Sequence, residues 1–337
     1  MKKFTKILLA ALLIASFAAN AQDEEESSSP LEISGSVDTY YFADFSDTKN
    51  RTTWFAEDQA AVGIGMIDLA LSKTVGKATF VGELGFGPRG DGAGDNTGLA
   101  ATAAGSIQNL YVSYAFSDKF SMTGGFMGTF VGYEVISPAA NFNYTASYLF
   151  SNGPFQNAGV RADYAFSDKV SLMVGVFGTQ WDSYSYTGMD NFGTQLTLSP
   201  VDGLDIYLNY ITGSQFKQWD ITAGYQATDA LYIGANVSQN MEYGDDPDGG
   251  FFGAAAYLQY GISDSFALGL RYENFAYEFD GAPSINSLTL SGNIFAGPLT
   301  IIPEIRFDSS DQDIFVDADD AGTGSFIEAG IAAVFAF

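Results

Sequence analysis

The sequence predicts an all-β fold: a transmembrane antiparallel β-barrel of about sixteen strands, with short turns at one rim and long loops at the other. Three observations carry this. Apolar residues alternate with polar or small ones along most of the chain. The chain stops on its most hydrophobic alternating segment. Short and long connections alternate between the segments.

The carboxyl end is the clearest of these. Counting back from Phe337 in steps of two gives Phe335, Ala333, Ile331, Ala329 and Ile327, all apolar. The intervening face carries Glu328, Gly330 and small residues. A period of two suits a strand with one face in lipid and the other in a lumen. Phe337 is the candidate assembly signal, a terminal aromatic of the kind read by the outer-membrane barrel assembly machinery.

The amino end reads as a secretory signal. Lys2, Lys3 and Lys6 precede a thirteen-residue apolar stretch, 7–19, too short to span a bilayer. Ala19-Asn20-Ala21 fits a cleavage site, so 1–21 is the expected signal peptide. Residues 22–30 are acidic and small and read as a disordered leader. The barrel is expected over 31–337. The formal net charge is −26; losing a signal with three lysines and no acid leaves −29. Such a chain has no electrostatic attraction for nucleic acid. It has no cysteine, so disulfides and thiol chemistry are excluded.

Tyr114-Ala115-Phe116-Ser117-Asp118-Lys119 recurs as Tyr164-Ala165-Phe166-Ser167-Asp168-Lys169. Related turns centre on Asp202, Asp229 and Asp264, and Val75-Gly76 and Ala296-Gly297 add two more. Seven short turns then alternate with eight longer connections near 43–58, 87–105, 131–155, 181–189, 213–217, 240–250, 277–284 and 309–324. Seven and eight connections join sixteen strands with both ends on the short-turn side. Tyr114, Phe116, Phe120, Tyr164, Phe166, Tyr225, Tyr260, Phe266, Phe295 and Phe335 are expected outward as a girdle at the short-turn interface.

A barrel of this size leaves an aqueous lumen. By parity the inward charges include Asp38, Glu83, Arg161, Asp163, Asp205, Arg271, Glu273, Glu304 and Arg306. Arg161 with Asp163, Arg271 with Glu273, and Glu304 with Arg306 are expected as same-face pairs, able to set a transverse field. Arg161, Arg271 and Arg306 could locally reverse the cation preference of an acidic rim. The longest connection, 131–155, contains Glu134 and is the candidate constriction. Asp245, Asp246 and Asp248 form a candidate surface calcium site. A second acidic group is Asp308, Asp311, Asp313, Asp317, Asp319 and Asp320.

Gly85-Phe86-Gly87-Pro88-Arg89-Gly90 matches a dinucleotide-binding glycine pattern, but no helical periodicity follows it. Barrel hydrolases and transferases generally use histidine as a base, and this chain has none. No enzyme is expected, and no cofactor beyond the surface calcium.

The segment Gly82-Glu83-Leu84-Gly85-Phe86-Gly87-Pro88-Arg89-Gly90 resembles one of the Putative beta-barrel porin-2 family of Gram-negative outer membranes. Ile33-Ser34-Gly35-Ser36-Val37-Asp38-Thr39-Tyr40-Tyr41 looks like that family's first strand. Asn141-Phe142-Asn143-Tyr144, then Pro154-Phe155 with Gly159, look like its third-loop segment. Pro303-Glu304-Ile305-Arg306-Phe307-Asp308 looks like its penultimate strand. The resemblance implies passive transport of small hydrophilic solutes or ions across the bacterial outer membrane. In general porins the third external loop folds inward, and the longest loop here is also the third. Porins of this size commonly trimerise, so a homotrimer is a candidate assembly. The competing expectation is a non-transporting barrel, an adhesin or structural anchor with a blocked lumen.

Overall fold

The computed structural model describes residues 28–46, 49–89, 106–179, 181, 188–214, 216–243 and 249–337. The expected signal, most of the acidic leader, and Asp245, Asp246 and Asp248 lie outside the described residues.

The strands are β1 (Glu32–Asp44), β2 (Val62–Val75), β3 (Ala78–Phe86), β4 (Ile107–Ser117), β5 (Phe120–Gly128) and β6 (Gln156–Ser167). Then come β7 (Val170–Gly178), β8 (Met189–Leu198), β9 (Leu204–Thr212), β10 (Phe216–Gln226), β11 (Leu231–Tyr243) and β12 (Phe251–Ser263). The last are β13 (Phe266–Tyr277), β14 (Ser284–Ala296), β15 (Leu299–Ser310), β16 (Phe315–Val316), β17 (Gly322–Thr323) and β18 (Ser325–Ala336). Sixteen of them, β1 to β15 and β18, form one closed barrel in chain order. The pair β16 and β17 is a separate hairpin in the last long loop. Each barrel pairing is antiparallel.

Alternation decides which face each side chain takes. On β18, Ile327, Ile331 and Phe335 are exposed outward, while Glu328, Ala332 and Val334 are buried inward. The apolar face lies where lipid replaces water, so its exposure carries no hydrophobic penalty. Barrel strands of 9 to 14 residues are long enough to cross the hydrocarbon even when tilted. Closure removes the two sheet edges, as a membrane requires of any strand assembly. It runs through β1 and β18, with Ser36 opposite Ala336 and Asp44 opposite Glu328. The ladder extends to the last residue: Phe337 N donates to Gly35 O at 3.0 Å, and Gly35 N to Phe337 O at 3.1 Å.

The short turns follow their residues. Ser117 Oγ accepts from Lys119 N, and Ser167 Oγ from Lys169 N, which explains the repeated motif. Gly76 and Gly297 sit at φ +58° and +68°, where a side chain is unfavourable, and each forms a two-residue hairpin turn. Tyr114, Phe116, Tyr164, Phe166, Tyr260 and Phe335 are exposed outward, as a girdle requires.

Two expectations are corrected. The connection near 213–217 is not long: β9 and β10 are joined by residues 213–215 alone, with Gly213 N donating to Phe216 O at 2.9 Å. Lys217 is already paired in the ladder with Thr212, so polarity there marks the strand's outer end and not a loop. Phe295 does not share the outward face. It opposes Thr300 and alternates with outward Ile294, so it falls on the same face as Asn293, which bonds a loop inside the barrel.

Candidate functional site

The third loop, residues 129–155, crosses the interior of the barrel. Its outgoing limb touches successive strands. Gln195 Nε2 of β8 donates to Phe130 O at 2.9 Å, and Gly132 N donates to Asp220 Oδ1 of β10 at 3.1 Å. The Tyr133 ring stacks on Tyr257 of β12, with centroids 4.0 Å apart. Ser137 Oγ lies 3.5 Å from Ser36 Oγ of β1. A 3-10 turn at Pro138–Ala140 then reverses the chain. The return limb ends in a helical turn, Tyr148–Ser151.

Carboxylates on the wall hold the return limb by its backbone. Glu304 of β15 accepts from Tyr144 N at 2.8 Å and from Thr145 N at 3.0 Å. Glu273 of β13 accepts from Tyr148 N at 2.8 Å and Leu149 N at 2.7 Å, at the start of the helical turn. These amides have no intrahelical partner, so an anion there both satisfies them and meets the positive end of the turn. Asp38 of β1 accepts the Tyr144 hydroxyl at 2.5 Å. Its other oxygen accepts from Met66 N at 2.9 Å, where the β1–β2 register shifts.

Arginines hold the same limb by its carbonyls. Arg271 Nη1 donates to Thr145 O and to Glu134 Oε1, both at 2.7 Å. Arg306 Nη1 donates to Ala146 O at 2.8 Å, and its Nε pairs with Asp308 Oδ1 at 2.9 Å. Arg89, from the second long connection, donates to Ile136 O and Tyr144 O. Its guanidinium lies between the rings of Phe55 and Tyr144, 5.0 and 4.9 Å from their centroids. Inward glycines make room: a Cβ on Gly269 would meet the Phe142 ring at 2.1 Å, and one on Gly253 would meet Leu149 at 2.7 Å.

The first loop, 45–61, folds inward beside it. Arg51 Nε pairs with Glu328 of β18 at 2.5 Å, and Arg51 Nη1 donates to Phe55 O at 2.9 Å. Trp54 and Phe55 both pack on Phe155 of the third loop. Burial pushes the phenols of Tyr133, Tyr144 and Tyr148 above their ordinary range, so they remain neutral hydrogen-bond donors. Neighbouring acids reinforce this, Asp38 at Tyr144 and Asp308 at Tyr148, against the opposing pull of Arg89 and Arg306.

All nine residues expected to line or narrow the pore lie inside the barrel, in two settings. Asp38, Glu134, Arg271, Glu273, Glu304 and Arg306 are buried against the loops. Glu83, Arg161 and Asp163 remain partly exposed. Two expected pairs are replaced. Arg271 pairs with Glu134 and not Glu273; Arg306 pairs with Asp308 and not Glu304. The reason is that Glu273 and Glu304 are occupied by loop amides. Arg161 and Asp163 do pair, at 3.4 Å. Asp308 leaves the acidic loop group, because β15 runs to Ser310 and carries it to full burial.

Sequence reasoning missed Arg51, Arg89, Asp68 and the role of Asp308. Parity with Arg306 was a signal for Asp308. Asp68 was masked by the register shift on β2, which changes the phase of the alternation at Met66. Among the described residues no group of three or more acidic side chains is placed to hold a metal ion.

The family described as Putative beta-barrel porin-2, OmpL-like, matches residues 30–337. No curated protein matches the sequence. Among solved structures, the outer membrane channel DcaP of Acinetobacter baumannii has a TM-score of 0.61 at 13% identity, over 95% of this chain and 100% of that one. An anion-selective porin from Comamonas acidovorans has a TM-score of 0.63 at 13% identity, over 92% and 100%. OmpT of Vibrio cholerae, in its trimer form, has a TM-score of 0.60 at 11% identity, over 93% and 100%. At these identities the likeness is one of fold.

Proposed function

The chain belongs to the Putative beta-barrel porin-2, OmpL-like family of the bacterial outer membrane, and we propose that it is a passive diffusion channel for small hydrophilic solutes or ions, narrowed by its third loop. The observation that carries this reading is the third loop held across the barrel interior by Glu273, Glu304, Arg271 and Arg306. A loop pinned by its own backbone on several strands acts as a fixed constriction and not a flapping lid. Solutes pass through the remaining space beside Asp68, Glu83, Arg161 and Asp163, which stay partly exposed.

The reading has no catalytic step, in keeping with a chain that lacks histidine. Residues 1–21 serve export, 22–30 a periplasmic leader, and Phe337 recognition by the barrel assembly machinery. The trimeric form of OmpT, whose fold is similar, supports a homotrimer. Asp245, Asp246 and Asp248 keep their candidate role as a surface calcium site.

Liposome swelling tests the reading. Vesicles carrying refolded residues 31–337 are expected to swell in small neutral solutes, with rates falling steeply as solute size grows. No swelling from protein shown to be folded and inserted would point to a blocked barrel serving as a surface anchor or adhesin.

A further inference from the structure

We propose that the channel prefers cations, and that Asp68 and Glu83 set this preference. The inference rests on the channel reading above and names the solute charge it favours.

Among the described residues five basic side chains project into the barrel: Arg51, Arg89, Arg161, Arg271 and Arg306. Four of them are removed from solvent, with Arg271 and Arg306 at 0% exposure, Arg89 at 1% and Arg51 at 3%. Three of these four are paired to carboxylates, Arg51 to Glu328, Arg271 to Glu134 and Arg306 to Asp308. Arg89 is spent on two carbonyls and two aromatic rings. Asp38, Glu273 and Glu304 are buried among them, so the sealed half of the lumen carries no positive excess.

The accessible charges are acidic in balance as well. Arg161 has 19% of its side chain exposed and is offset by Asp163, at 38%, on the same strand. Asp68, Glu83 and Asp205 are also partly exposed. Taking Arg161 and Asp163 as cancelling, and counting the neighbouring carboxylates Asp68 and Glu83 as sharing one proton, the solvated lumen remains acidic.

Position singles out two of these acids. Asp68 on β2 stands opposite Ser36 of β1, whose hydroxyl oxygen lies 3.5 Å from that of Ser137 at the tip of the third loop, and Glu83 on β3 is its diagonal neighbour, two residues before the Gly85 that opposes Asp68. The pair therefore sits where the constricting loop meets the wall. Asp205 stands a residue into β9 beside a short turn, where it accepts the Ser199 hydroxyl at 2.5 Å. A field is focused where a water-filled passage is narrow and its walls are of low dielectric. Carboxylates there weigh more on selectivity than those of the rim. The fold does not impose this sign, since a barrel of similar fold is an anion-selective porin.

The test is the zero-current potential of refolded residues 31–337 in a planar bilayer under a potassium chloride gradient. A cation-to-anion permeability ratio of about three or more is expected. The paired variant Asp68→Asn with Glu83→Gln is expected to bring the ratio close to one. Arg161→Gln, which does not disturb the acidic pair, is expected to raise it. Neutralising Asp317, Asp319 and Asp320 on the rim is expected to change it by less than the lumen pair does. Discrete conductance with anion preference, or a ratio unmoved by both lumen variants, would overturn this inference and leave the channel reading standing. Absence of conductance from inserted wild-type protein would overturn both.

Discussion

Glu304 shows how a residue predicted for one task performs another. Its inward direction follows from alternation along β15, and its burial follows from two loop amides that find no other acceptor. Hydrogen bonds to a charged group contribute about 1.5–3 kcal/mol each. Glu304→Ala is therefore expected to raise amide hydrogen exchange at Tyr144 and Thr145 by about ten-fold or more, with strand exchange unchanged. Unchanged exchange there would mean that the carboxylate does not hold the loop. Inward direction was legible for Asp38, Glu83, Arg161, Asp163, Arg271, Glu273, Glu304 and Arg306, because a period of two is a local property. Apart from the same-strand pair Arg161 and Asp163, their partners were not legible. Arg271 meets Glu134 across 137 positions, and Arg51 meets Glu328 across 277, distances at which no pattern in the chain reports contact.

At the scale of elements, the short turns were readable because their residues act locally: Ser117 and Ser167 on the following amides, Gly76 and Gly297 through left-handed backbone. The course of the long loops was not, because it depends on strands that close only in the finished barrel. Length alone marked the third loop as a candidate constriction. Its seat depends on glycines that read in the sequence merely as small inward residues. Gly269 is the clearest, lying under the Phe142 ring with no space for a side chain. Gly269→Val is expected to lift Phe142 and loosen the return limb. Overpacking of this kind costs about 1–3 kcal/mol. Single-channel traces of that variant should become noisier, with a larger mean step than wild type. Traces indistinguishable from wild type would place the constriction elsewhere.

At the scale of the molecule, a closed sheet in a membrane needs an apolar exterior and an even set of antiparallel strands when both ends share a rim. Both requirements leave a mark in the sequence, which is why sixteen strands could be counted before any pairing was known. The connection at 213–215 shows the limit of counting by loop length, since β9 and β10 are joined by three residues, close to the length of the short turns at the other rim. The interior leaves a weaker mark. Two loops occupy part of it, and their buried aromatic and ionic contacts resemble those of a soluble core, with Tyr40, Phe42 and Tyr144 packed against Ile302 and Val334. What distinguishes a narrowed channel from a plugged barrel is whether a continuous aqueous path remains beside that core. Single-channel recording from refolded residues 31–337 in a planar bilayer tests this most directly. Discrete, long-lived conductance steps at low voltage are the expected result. A silent bilayer containing demonstrably folded and inserted protein would contradict the account and identify the loops as a plug.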